Sequence, residues 1–130
     1  VYRSPSGGRE WEALTDGLPW EQRPPSVGGL NRFTPRPGGR VLLEVDRLEA
    51  VREGGAWRLT TDGTYPLLVV GEHGRGRTVA LATDVAPHWV GPLVDWGEGR
   101  VAARAPGAEP VEVGDLYARF FQELILWTKG

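Results

Sequence analysis

Two kinds of hydrophobic pattern run along this chain, one suited to strands and one to a helix. Arg40–Asp46 (RVLLEVD) reads as a strand bounded by Gly39, with Trp57–Thr60 as a weaker candidate. Tyr65–Glu72 (YPLLVVGE) and Arg77–Thr83 (RTVALAT) are dense in Val and Leu and predict two further strands. The cores VLLEV, LLVV and VALA are nearly continuous apolar runs rather than alternating ones, as expected of strands buried on both faces. Between the last two, His73-Gly74-Arg75-Gly76 supplies glycines able to take positive φ, so these strands should form an antiparallel hairpin at a sheet edge. From Asp115 to Thr128 the period changes. Leu116, Phe120, Phe121, Leu124 and Trp127 recur three and four positions apart, predicting a helix with Asp115 as its N-cap, Lys129 at its negative end and Gly130 as its stop.

Other stretches lack either period. Residues 1–39 are broken by Pro24-Pro25, Gly28-Gly29, Pro35 and Pro37-Gly38-Gly39, with room for a helical turn at Glu10–Leu14 and with Trp11, Trp20 and Phe33 as aromatic pins onto the fold. This is read as an irregular connection. Asp84–Trp96 reads as a loop rich in polar and aromatic groups, and 97–114 as an exposed insertion of small and charged residues. A single helix cannot cover both faces of a buried sheet, so the rest of the cover must come from a partner chain, a homo-oligomer or a missing N-terminal half. The layering favours the missing half, making residues 1–130 the C-terminal portion of a single domain.

Composition narrows the class. At 130 residues, 40% hydrophobic and 25% charged, the chain fits a soluble globular domain. No apolar run approaches the roughly 18 to 20 residues that span a bilayer, so no membrane partner is expected. A net charge of −2 offers no footprint for nucleic acid. With no cysteine the chain has no disulfide, thiolate metal site or cysteine nucleophile, and a cytoplasmic location fits.

The stretch YPLLVVGEHGRGRTVALATDVAPHW, the closing helix YARFFQELILWTKG and the upstream LPWEQRPPSVGGLNRFTPRPGGRVLLEV together resemble the putative glutamine amidotransferase family, with its class I glutamine amidotransferase-like domain. The D-x-x-P-H-W element (Asp84, Pro87, His88, Trp89) after a G-x-G-R strand entry carries most of that likeness. A trehalose-utilisation-type, sugar-related domain shares the glycine-arginine strand and is the nearest confusable relative. The resemblance implies an α/β fold, a three-layer αβα flavodoxin-like sandwich, to which this chain contributes the C-terminal part with its antiparallel hairpin and final helix. It also implies a nucleophile elbow in the first half and a histidine from a later loop. Asp84 and His88 occupy roughly that later loop here, but the usual His-Pro-Glu run is replaced by Pro87-His88-Trp89.

His88 is accordingly the candidate base, with Asp84 fixing its tautomer as the third member of a triad does. The competing reading has Asp84 capping the turn through its side chain while His88 packs beside Trp89. Trp89, Trp96, Glu72 and Arg77 are candidates for lining a ligand pocket, although such aromatics commonly fill the gap between a sheet and its last helix. Arg77 could instead pair with Glu72 across the hairpin. Glu72, His73, Asp84 and His88 lack metal-ligand spacing, and no metal or cofactor is implied. Two functions remain open. One is a non-catalytic amidotransferase-like module for binding, assembly or regulation, of an unidentified small-molecule ligand or partner. The other is a hydrolase or amide-transfer enzyme using His88 with a nucleophile outside this chain.

Overall fold

The computed structural model describes residues 2–3, 17–85 and 88–130, with side chains from 17 onward. The expected helical turn at Glu10–Leu14, the aromatic pin Trp11 and Pro87 of the D-x-x-P-H-W element lie outside the described residues. Four strands, β1 (Tyr2–Arg3), β2 (Arg40–Glu53), β3 (Ala56–His73) and β4 (Gly76–Leu81), form one sheet in the order β1-β2-β3-β4. Every neighbouring pair is antiparallel. After it come a short 3-10 helix (Gly91–Asp95), a hairpin of β5 (Arg100–Ala103) and β6 (Val111–Gly114), and a helix, α1 (Asp115–Lys129). The described residues thus form a mixed sheet-and-helix arrangement with antiparallel strands and a C-terminal helix.

The expected hairpin is present, with Leu68↔Leu81 through His73↔Gly76 in register and Gly74 at φ +61° in its two-residue turn. Of its two strands β4, whose VALA run was expected to be buried on both faces, is the sheet's edge and stays exposed or half-buried throughout. By contrast β3 is buried as its composition predicts: Leu67, Leu68, Val69 and Val70 are each less than a tenth exposed. Neighbouring residues on a strand point to opposite faces, so this stretch is covered on both sides by the chain itself. On one side lies α1, which sets Tyr117, Phe120 and Leu124 into the core. Elsewhere the irregular segment closes in, with Gly39 against Val69.

Two sequence-based boundaries change. Trp57–Thr60 and Tyr65–Glu72 are parts of one 18-residue strand, and the first strand runs on from Asp46 to Glu53. The cause is the Gly54-Gly55 turn, where both residues have positive φ (57° and 85°). Such turns match the right-handed twist of the strands they join. The ladder therefore continues out to Glu53↔Ala56, as a two-stranded ribbon beyond the reach of β1 and β4. The second change concerns 97–114, where no element was expected and the β5–β6 hairpin stands.

Trp20 is the aromatic pin that reaches deepest. It is 2% exposed, with its ring 4.3 Å from that of Trp96 and 5.0 Å, edge-on, from that of Phe120. Phe33 packs half-buried at the margin of the same core. The helix opens one residue earlier than expected, with Gly114 as N-cap. Asp115 occupies the first helical position and accepts from its neighbour Leu116 N at 2.9 Å. The first-turn amides find backbone partners instead: Asp115 N donates to Gly99 O, and Leu116 N and Tyr117 N to Trp96 O, at 3.0 to 3.3 Å. At the far end Gly130 closes the helix as expected, its N–H donating to Trp127 O. Among the described residues, no helix is long and apolar enough to cross a membrane.

Candidate functional site

The loop after β4 holds the sharpest sequence candidates. Asp84 turns its carboxylate back onto the loop's own backbone: Val90 N donates to Oδ1 at 2.6 Å, and Trp89 N lies 3.1 Å from both oxygens. A short polar side chain one strand-end away from unpaired amides folds a loop in this way. His88 is exposed, and among the described residues no hydrogen bond or ion pair joins its ring to Asp84. Tyr117 reaches up from α1 and donates to Val85 O at 2.9 Å. Burial raises the Tyr117 hydroxyl above its ordinary value of 10.0, and the nearby Asp84 charge raises it further.

The loop is held by the segment Val27–Asn31. Gly28 N and Gly29 N both donate to Trp89 O (2.7 and 3.1 Å), and Asn31 N donates to Ala82 O at 2.8 Å. Trp89, 42% exposed, lays its ring against Gly29. The same Gly28-Gly29 backbone forms one wall of an open cleft of about 810 Å³. Opposite stand Val45, Asp46, Arg47, Leu48 and Tyr65, at the base of the ribbon. Arg32 lies over the Tyr65 ring at 4.8 Å, while Arg47 pairs with Asp62 at 3.2 Å and Asp46 accepts from Thr64 at 2.7 Å. An apolar floor with convergent cations and carboxylates can seat an amphipathic group.

The structure brings Asp84, His88 and Trp89 into one loop and leaves the remaining candidates elsewhere. Trp96 is 6% exposed, stacks on Trp20 and donates from Nε1 to Arg23 O at 2.8 Å, so its polar atom is spent inside the core. Glu72 and Arg77 face each other in register at the hairpin turn, the length of the six-residue β4, or about 20 Å, from the Asp84 loop. Arg77 does not pair with Glu72. Its guanidinium crosses to the end of α1, donating to Trp127 O at 3.2 Å and lying 5.0 Å from that indole, where the helix's negative end favours a cation. Glu72 and His73 border a second depression, of about 790 Å³. Among the described residues no group of three or more His, Asp or Glu gathers as a metal site would require.

The backbone path from Gly29-Leu30-Asn31 to the Asp84–Trp89 loop lies within one continuous similarity. Residues 13–102 match the family model described as "Putative glutamine amidotransferase". The chain belongs to that family. The match takes in the cleft, the ribbon and the Asp84 loop of this glutamine amidotransferase-like protein, and stops within β5, before α1. No curated protein matches the chain.

The cleft residues Arg32, Asp46, Arg47, Leu48 and Tyr65 were not singled out by the sequence. A usable signal existed in Gly54-Gly55. Read as a hairpin turn, it would have extended both flanking strands and put Asp46–Leu48 beside Thr61–Tyr65.

Proposed function

We propose that this glutamine amidotransferase-like chain is a non-catalytic module that serves binding or assembly rather than amide transfer. Its sheet would belong to a three-layer αβα, flavodoxin-like domain in a cytoplasmic protein. The packing of α1 against the sheet supports the layering, and the absence of cysteine agrees with the compartment. One observation carries the functional reading: the Asp84 carboxylate is engaged by the amides of Trp89 and Val90 and does not orient His88. A triad needs its acid on the imidazole, because that bond fixes the tautomer and stabilises the charged ring. The His-Pro-Glu run of the active enzymes is also replaced here by Pro87-His88-Trp89.

The test is ammonia release from glutamine, and ester hydrolysis, by the native full-length protein and its His88→Ala variant. Neither protein should exceed the buffer rate. Turnover by the native protein that His88→Ala abolishes would overturn the proposal.

A further inference from the structure

The ribbon formed by the outer halves of β2 and β3 has two unlike faces. Pairing is unbroken from Leu48↔Thr61 to Glu53↔Ala56, and paired residues share a face, as do residues two apart. One face therefore carries Leu48, Ala50 and Arg52 with Thr61, Leu59 and Trp57. Trp57 is 72% exposed, Leu59 66% and Leu48 58%. The other face carries Glu49, Val51 and Glu53 with Thr60, Arg58 and Ala56, and is tied by the Arg58–Glu53 ion pair at 3.0 Å. A two-stranded ribbon is marginal in water by itself, and one that presents a tryptophan and two leucines to solvent is built to be covered.

The apolar face also runs without interruption into the cleft, since Leu48 belongs to both. Its residues are spaced about the central Ala50↔Leu59 pair, with Leu48↔Thr61 one step towards the cleft and Arg52↔Trp57 one step towards the tip. A twofold axis through the centre exchanges these two steps, as the self-complementary patch of a symmetric dimer requires. Charge follows the same exchange. Arg52 at the tip has no ion-pair partner among the described residues, while Glu21 and Asp46 line the cleft at the base beside Arg32 and Arg47, Arg47 being already paired with Asp62.

We infer that this ribbon is a self-association arm. Two copies pack apolar face to apolar face about a twofold axis at Leu59, and each lays its Trp57 over Leu48 of the partner subunit, at the mouth of that subunit's cleft. The cleft, at about 810 Å³, has room for an indole. Arg52 of each copy then approaches the carboxylates at the other's base. Buried tryptophans of this kind carry a large share of interface energy. The dimer does not depend on whether the Asp84 loop is catalytic.

Sedimentation velocity on the full chain tests it. The wild type should be dimeric at about 100 μM and dissociate in the low micromolar range, as expected of an interface near the small end of the standard class. Trp57→Glu should be monomeric at the same concentration, with unchanged circular dichroism and urea midpoint. Because the chain has no cysteine, a single thiol placed by Leu59→Cys should be joined to its counterpart by a short bis-maleimide, whereas Thr60→Cys on the opposite face should not. A wild type that stays monomeric overturns the inference. So does a dimer that survives Trp57→Glu, or one that cross-links through Thr60→Cys as readily as through Leu59→Cys.

Discussion

Removing the Asp84 carboxylate separates a structural role for the β4 loop from a catalytic one. In Asp84→Ala the amide of Val90, a residue 2% exposed, loses an acceptor at 2.6 Å, and the more accessible amide of Trp89 loses its shared acceptor at 3.1 Å. A hydrogen bond to a charged group contributes about 1.5–3 kcal/mol when its donor is left buried, and an exposed one about 0.5 kcal/mol more. The expected loss is therefore about 2–3.5 kcal/mol. In a domain of this size it would appear as a fall in Tm of roughly 10 °C, since each kcal/mol shifts Tm by several degrees. Asp84→Asn keeps an acceptor in place and should lose about half as much. Urea titrations followed by tryptophan fluorescence supply the free energies. The decisive measurement is the double-mutant cycle with His88→Ala. If the aspartate holds the backbone and not the imidazole, His88→Ala alone should cost less than about 0.5 kcal/mol and the two changes should add within about the same margin. Coupling above about 1 kcal/mol, or an Asp84→Ala variant as stable as the wild type, would refute the reasoning.

Two further outcomes follow from the same region. Gly91 sits at φ +53°, and a Cβ there would lie 2.6 Å from Gly28 N, so Gly91→Ala should lose at least about 2 kcal/mol in urea unfolding through strain and the forced separation of the two backbones. Tyr117 titrates higher folded than unfolded, so the folded state holds its proton more tightly. The stability it contributes is complete below pH 10.0 and is lost as pH rises through the higher folded value. Tyr117→Phe should flatten that alkaline limb in pH-dependent thermal melts, while losing the bond to Val85 O at every pH.

How much could be read from the residues depended on burial. The β3–β4 hairpin and α1 were legible because their apolar positions are selected by a core: Leu67–Val70 by cover on both faces, and Phe120 and Leu124 by one helical stripe, which left out the likewise buried Tyr117. The ribbon was not legible in the same way. With nearly every residue from Asp46 to Thr64 exposed, no inner face imposes alternation, and only the glycine pair marks its tip. The β5–β6 hairpin was missed for the same reason, every residue of β5 being exposed. At the candidate site, Asp84 and His88 were legible because they lie in one short loop. The cleft was not, because it arises where the Gly- and Pro-rich segment 20–32 meets the base of the ribbon, a long-range meeting that local pattern does not encode.

The position of Trp20 governs the order in which this protein can be completed. Its indole is wedged between Trp96 and Phe120, residues that follow it in the chain only after all of β2–β4, and the intervening strands pair largely with their sequence neighbours. During synthesis the hairpins can form as they emerge, whereas the oily surface beneath α1 stays open until the last turn of that helix has left the ribosome. Closing so long a loop is entropically slow, and a chain caught before that point exposes its leucine-rich strands to its neighbours.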